Sequence, residues 1–419
     1  MVARGRGRSM TAAILQAVPS KAAMSEASIR PRPSIAAIGA GIVAAVVGFG
    51  SSFPVIVQAL KEVGASSGEV ASGLMALSLL MGVSAIILSV RTRVPISIAW
   101  STPGAALLIS TGMVDGGFPA AVGAFLLTGV LIIVAAVVRP FREIVSSIPT
   151  SLANAMLAGI VMQLCLAPVE AIGVVPQYVL PVIAIWVVML RFARLYAMPA
   201  AVAATTAIIV ATTDLPVASP GELLPHPVFV MPVFTWGAVV SIAIPLFIVT
   251  MASQNIPGIA VLQAYGYKPH VRETFLTTGI GTVLGAPFGG HAINYAAITA
   301  AICAGPDADP DPHRRWLAAL ASGIFYVFFG FAATFATVLI AASPPLLIQA
   351  VAGLALMGVL ASSLLGAMQA AGDRDAAVVT FVVAASGLSF YGIGAAFWGL
   401  IAGAAILLLS RWRRGAGTS

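Results

Sequence analysis

Long apolar runs, separated by short polar or basic stretches, dominate the chain. Fourteen of them can be marked, at roughly 35–60, 68–90, 94–112, 118–138, 148–167, 172–190, 195–213, 233–263, 273–285, 287–304, 316–342, 345–371, 376–390 and 392–410. A hydrocarbon layer ~30 Å thick asks for ~20 apolar residues per helix. The pattern therefore predicts an all-α polytopic membrane protein with fourteen transmembrane segments over residues 34–411. Residues 1–33 hold only the short apolar piece MTAAILQAV and are expected to form a disordered cytoplasmic tail.

Four of the runs carry polar, proline-containing breaks. GFGSSFPVIVQAL (48–60) and AWSTPGAALL (99–108) lie in segments one and three. TMASQNIPGIAVLQA (250–264) and APFGGHAINYAAI (286–298) lie in segments eight and ten. Pro54 and Pro257 are 203 residues apart, Thr102 and Gly290 are 188 apart, and both offsets fit a repeat of seven segments. Seven is odd, so the second copy enters the membrane from the opposite face. Paired breaks in such an inverted repeat point to the binding site of a secondary transporter.

Chain length supports unwinding at these breaks. Between Arg272 and Asp307 about 34 residues must go out and back, where two full helices need ~40. Extended chain covers ~3.3 Å per residue against 1.5 Å in a helix. In VPISIAW (94–100) β-branched residues stand at 94, 96 and 98, the period of a strand. STPG then reads as a helix start, with Ser101 or Thr102 as cap and Pro103 in the first turn. In segment ten, Gly289 and Gly290 are expected to end the extended part, and a helix is expected from about His291 to Cys303. Segments three and ten are thus predicted to be half extended and half helical, with both helix N-termini near the midplane. Free N–H groups and about half a positive charge at each would make an anion site without a basic side chain.

Composition agrees: 60% of residues are apolar and 8% charged, with a mean hydropathy of +1.04, where soluble domains carry about 25% charged residues. Assigning the loops alternately, starting inside, places 20 of the 21 Lys and Arg on the inner side and leaves only Lys61 outside. Positive loops stay cytoplasmic, so both termini are expected inside. A count of twelve crossings could keep the same ends. The basic residues are scattered rather than clustered with aromatics, which argues against nucleic acid as a partner of this +7 chain. Cys165 and Cys303 fall near opposite ends of their segments, too far apart for a disulfide. No metal site and no cofactor are implied.

All 14 Asp and Glu fall in loops or at segment ends, so His291 is the one ionisable residue deep in a span. Such residues mark function by default, although a histidine bonded to a backbone carbonyl would serve structure alone. Gln254 and Asn255 either orient a ligand or tie segment eight to a neighbour. Asn294 would share the face of His291 one helical turn on. Thr102, Pro103, Gly104, Gly289 and Gly290 would bring backbone to the ligand. Phe53, Phe288 and Tyr295 would form an aromatic wall or pack the core. Asn154 and Gln163 read as packing or gate residues, and DADPDPHRR (307–315) as a solvated cytoplasmic loop. An enzyme would need a nucleophile–base pair, metal ligands or paired carboxylates, and the segments carry none. An anion channel could use the same helix ends; a buried titratable group favours coupled transport.

The stretches STPGAALLISTG (101–112), SQNIPGIAVLQAYGYKP (253–269) and APFGGHAINYAAITAAICAGPDA (286–308) resemble the bacterial benzoate:proton symporter family, itself related to uracil/xanthine and sulfate permeases. The resemblance covers about 35–411. It implies two inverted sets of seven segments in a core domain (1–4 and 8–11, about 35–138 and 233–342) and a gate domain (5–7 and 12–14, about 148–213 and 345–410). It further implies residence in the bacterial inner membrane, proton-coupled uptake of benzoate or a similar aromatic carboxylate by alternating access, and a homodimer in the bilayer. Nucleobase permeases carry glutamates in segments eight and ten. Here Ser253, Gln254 and Asn255 occupy the first site and Gly290 and His291 the second. A site without carboxylates suits an anion. Another small anion or a nucleobase remains the alternative substrate. His291, with an ordinary pKa near ~6.5, would carry the proton.

Overall fold

The computed structural model describes residues 34–138, 149–213, 225–296, 298–341, 344–388, 390, 391 and 393–416. The tail over 1–33 lies outside the described residues, as do Arg139 and Arg142. The first seven segments are α1 (Ile35–Glu62), α2 (Ser67–Thr92), strand β1 (Ile98–Trp100) with helix α3 (Thr102–Thr111), α4 (Gly117–Val137), α5 (Thr150–Val174), α6 (Pro176–Phe192) and α7 (Ala197–Thr212). The second seven are α8 (Trp236–Ala264), α9 (Val271–Gly285), strand β2 (Ile293–Tyr295) with helix α10 (Ile298–Ala304), α11 (Trp316–Phe331) with α12 (Ala333–Ala341), α13 (Pro345–Met368), α14 (Arg374–Ala385) and α15 (Ala395–Ala416).

Among the described residues, seven helical stretches are long and apolar enough to cross a membrane alone, and three more are apolar but shorter. The remaining crossings are the two strand–helix segments and the short helices α9 and α14. The two copies pack alike. α2 lies on α11 as α9 lies on α4; α6 pairs with α7 as α14 pairs with α15; α5 and α13 pack on each other. The chain is thus two sets of seven segments in inverted orientation.

Close helix crossings repeat with this symmetry. A Cβ on Gly82 would stand 2.6 Å from the Gly323 carbonyl oxygen, and one on Gly323 would stand 2.7 Å from that of Gly82. At the equivalent crossing of α4 and α9, Gly129 and Gly279 face each other's carbonyls at 3.1 Å. Small residues let membrane helices approach backbone to backbone, where apolar burial gives no drive because lipid is equally apolar.

Prolines shape segments one and eight differently. α1 runs unbroken through Pro54, contrary to the break its composition suggests. Ser51 and Ser52 hydroxyls donate to the Gly48 carbonyl just ahead of it. α8 instead widens into π turns over Val239–Ala243 and Met251–Asn255, each ending two residues before a proline, Pro245 and Pro257. A proline lacks the N–H and crowds the carbonyl four residues back; a π turn absorbs the misfit and is common at functional sites.

The 307–315 loop is not wholly solvated. Asp311 and His313 are exposed, but Asp309 and Arg315 are buried. The Arg315 guanidinium donates to the carbonyls of Asp309 (2.7 Å) and Ala304 (3.0 Å), capping the C-terminal end of α10, where helix carbonyls lack partners. This sets the labelling test of topology. Ser67 and His313 are exposed, and natural Cys165 and Cys303 are buried. In a background without those two cysteines, Ser67→Cys is expected to react with an impermeant thiol reagent added outside intact cells, and His313→Cys only after permeabilisation. Labelling of His313→Cys from outside would overturn the orientation.

Candidate functional site

β1 and β2 pair antiparallel with Ile98 opposite Tyr295, Ala99 opposite Asn294 and Trp100 opposite Ile293. The ribbon extends one residue further at both ends: the Ser101 N–H donates to Ala292 and the Ala296 N–H to Ser97. The two-fold relation centres on Ala99 and Asn294, so Ser101 corresponds to Ala296 rather than to the residue before Gly290. The register corrects the simple spacing argument because the glycines belong to the end of α9, not to the strand. It also moves a helix start. α10 begins at Ile298, not at His291, and His291 lies in extended chain ahead of β2. The starts of α3 and α10 therefore flank opposite ends of the ribbon, about four strand residues or ~13 Å apart.

Ser101 is the hub. Its Oγ accepts from the Gly104 N–H (3.1 Å), capping α3 as the STPG motif predicts, and shares a hydrogen bond with Thr250 Oγ1 of α8 (2.8 Å). Its carbonyl lies 3.0 Å from His291 Nε2. A carbonyl only accepts, so Nε2 carries the hydrogen and Nδ1 is left as the free nitrogen. His291 is fully buried, its ring stands roughly perpendicular to that of Phe125 with centroids 6.2 Å apart, and its Nδ1 has no partner among the described residues. The second repeat's histidine is thus fastened to the first repeat's helix start. Asn294, equally buried, accepts from the Ser101 N–H (3.1 Å) and donates to the Tyr295 carbonyl (2.7 Å) in the amide orientation that satisfies both its ends. Thr102 and Gly104 sit in the first turn of α3 with buried Pro103 between them, and among the described residues nothing accepts from the Thr102 N–H.

Other expected residues are placed elsewhere. Gly289 and Gly290 donate their N–H groups to Ala286 and Gly285 (both 2.9 Å), ending α9. Gly289 holds φ +90°, and a Cβ there would stand 3.2 Å from Gly73 Cα of α2. That turn and that approach explain the glycine without a ligand. Asn255 Oδ1 accepts from the Tyr295 N–H (3.0 Å), tying α8 to β2; Gln254 beside it is partly exposed. The Tyr295 hydroxyl donates to Thr274 of α9 (2.7 Å). Phe53 stacks on Phe49 (5.3 Å), which touches Trp100 and Phe329. Phe288 meets Phe229 at 6.0 Å. Gln163 bonds the Ala385 carbonyl of α14 (2.9 Å), a packing contact. Sequence reasoning missed Thr250, Phe49 and the Trp100–Ser52 hydrogen bond (2.8 Å). A threonine in an apolar run gives no signal until its partner is known. Asn255→Leu would leave the buried Tyr295 N–H without a partner. It is expected to lower stability by about 1–3 kcal/mol, read as an earlier thermal transition in detergent.

Residues 32–409 match the family described as benzoate membrane transport protein, BenE. The chain belongs to this family. It is 41% identical to "Inner membrane protein YdcO" of Escherichia coli (strain K12) over 366 residues, 87% of this chain and 93% of that one. It is 30% identical to "Benzoate membrane transport protein" of Acinetobacter baylyi over 370 residues, 88% and 94% of the two chains. Among solved structures, the transmembrane domain of the cyanobacterial bicarbonate transporter BicA superposes with a TM-score of 0.58 at 15% identity, covering 88% of this chain and 97% of that one. Murine Slc26a9, an anion transporter in its inward-facing state, gives 0.58 at 12% identity over 99% and 76%. These likenesses establish the inverted-repeat fold, and the family establishes a membrane transport protein.

Proposed function

We propose that this BenE-family protein imports benzoate or a similar aromatic carboxylate by proton symport, using alternating access across the bacterial inner membrane, with both termini cytoplasmic. The observation that carries this reading is the buried, unpartnered Nδ1 of His291 beside the first turn of α3. The Thr102 N–H and the helix end attract the carboxylate, and Pro103 and Gly104 keep that turn close to it. Asn294 and Asn255 hold the surrounding backbone, and Gln254, partly exposed beside Asn255, orients the anion. Gly289 and Gly290 shape the turn that delivers His291, and Phe53, stacked on Phe49, and Phe288, against Phe229, are the rings this reading offers to an aromatic substrate. The names of the two relatives, one for benzoate and one for the inner membrane, support the substrate and the location. Segments 1–4 and 8–11 form the core that carries the site, segments 5–7 and 12–14 the gate, and two copies assemble as a homodimer.

The coupling follows from charge. A carboxylic acid with a pKa near ~4.3 is anionic at pH 7. An inside-negative potential opposes its entry by about 2.3 kcal/mol per 100 mV. One proton on His291 cancels the charge. Protonated His291 binds the anion better, and the anion makes protonation easier, so each favours the other. Labelled benzoate uptake into proteoliposomes with an acidic exterior is the test, together with competition by a panel of aromatic, aliphatic and inorganic anions. Accumulation that collapses with a protonophore and is competed best by aromatic acids is expected. Uptake that only equilibrates, with or without a pH gradient, would make the protein a channel or uniporter.

A further inference from the structure

α8 holds the strand ribbon at two points, and its wide turn brings both within reach. A two-stranded ribbon in a bilayer has a free edge on each strand, and the backbone groups there need partners from the protein. Along β2, alternate N–H groups turn away from β1. That of Ile293 donates to Thr282 Oγ1 of α9 (3.2 Å), and that of Tyr295 to Asn255 Oδ1 of α8 (3.0 Å). The Asn255 amide nitrogen donates to Met251 Sδ (3.1 Å), which leaves Oδ1 for this bond. Five residues before Asn255, Thr250 Oγ1 shares a hydrogen bond with Ser101 Oγ (2.8 Å). Tyr295 stands opposite Ile98, three strand residues or ~10 Å from Ser101. Thr250 and Asn255 are both fully buried.

A regular α-helix would not offer this pair. Residues five apart in it point about 140° away from each other. A turn closed from residue i to i+5 brings them back toward one face. The π turn Met251–Asn255 has this form: the Ile256 N–H donates to the Met251 carbonyl, and Pro257 after it has no N–H to restore the narrower ladder. Thr250 stands at the head of the turn and Asn255 at its foot. Ala252, Ser253 and Gln254 between them are partly exposed, so the turn fixes its ends and presents its middle.

We propose that Thr250 is a positioning residue of the transport site: from the head of the π turn it holds Ser101 in place and so sets the affinity for the substrate. This rests on the carboxylate reading above. Thr250 acts through Ser101, whose Oγ accepts from the Gly104 N–H and whose carbonyl takes the hydrogen of His291 Nε2. A hydroxyl has one hydrogen and two lone pairs, so the bonds to Gly104 and Thr250 together fix the serine side chain. Without Thr250 Oγ1 one of the two is lost. The cap on α3 then loosens, and the first turn that presents the Thr102 N–H loses its set position.

The test uses the full-length protein in proteoliposomes and measures KM and maximal rate for exchange of labelled for unlabelled benzoate at equal pH. Thr250→Val keeps the shape of the side chain and removes the hydroxyl, Thr250→Ala is a second variant without it, and Thr250→Ser keeps it. KM is expected to rise about fivefold or more in the valine and alanine variants, the scale of one hydrogen bond. The maximal rate should stay within about twofold of the parent, the mark of lost binding rather than a lost step. The serine variant should restore KM to within about twofold of the parent. A parental KM in the valine or alanine variant would overturn the positioning role and leave the carboxylate reading standing. A fall in rate without a rise in KM, or a serine variant as impaired as the valine one, would assign Thr250 to packing and overturn the proposal too. A parent protein that exchanges no benzoate would remove the substrate reading, and this inference with it.

Discussion

His291→Gln is expected to abolish accumulation of benzoate driven by a pH gradient while leaving exchange between equal pools. The glutamine amide can still donate to the Ser101 carbonyl, the bond that His291 Nε2 makes at 3.0 Å. The joint between the two repeats is therefore kept, and only the titratable nitrogen is lost. With one proton per substrate, each unit of imposed pH difference supports about a tenfold concentration ratio, or 1.36 kcal/mol. The variant should show a ratio near ~1 at any gradient. Its uptake should also lose pH dependence, whereas the parent should gain apparent affinity as the outside is acidified. Accumulation by the glutamine variant at the parent's ratio would take His291 out of the mechanism, and the proton would then travel on the acid itself.

Gly82→Val is expected to have the largest effect on folding. At this crossing of α2 and α11 the new Cβ would stand 2.6 Å from the Gly323 carbonyl oxygen and 3.1 Å from the Val327 N. Both contacts are backbone, so no side chain can swing away. Overpacking costs about 1–3 kcal/mol even in cores that can adjust, and two rigid helices have less room to do so. Gly279→Val, at the crossing related by the inverted repeat, meets the Ile133 N at 3.0 Å and should behave alike. Gly358→Val has nothing within 4 Å of its Cβ and is the control. Monodisperse yield in detergent should collapse for the first two and persist for the third. A normal yield of Gly82→Val would mean that the helices pack at another distance.

Much of this architecture could be read from local pattern because a bilayer leaves a chain few choices. Each apolar run must satisfy its own backbone hydrogen bonds, so run length suffices to count the segments, while loop charge supplies the orientation that thiol labelling checks. STPG could be read for the same reason: capping depends on residues within one turn, and Ser101 caps α3 as its neighbours require. Segment ten was harder. Gly289 looked like the end of an extended stretch, but it closes α9 and clears Gly73, a contact between residues far apart in sequence. Without that contact, the start of α10 could not be set at Ile298.

The sequence by itself determined the membrane class, the fourteen segments, the inverted repeat, the strand–helix character of segments three and ten, and the choice of His291 as the deep titratable group. The tertiary structure alone decided which repeat's helix that histidine serves, through the ribbon register that sets Ser101 beside it, and that Asn255 and Tyr295 hold backbone and neighbour rather than open space. The division has a physical origin. Solvent preference and capping act over a few residues and leave a periodic trace in the chain. Strand pairing and hydroxyl–hydroxyl contacts join positions such as Ser101 and Thr250, 149 residues apart, and leave none.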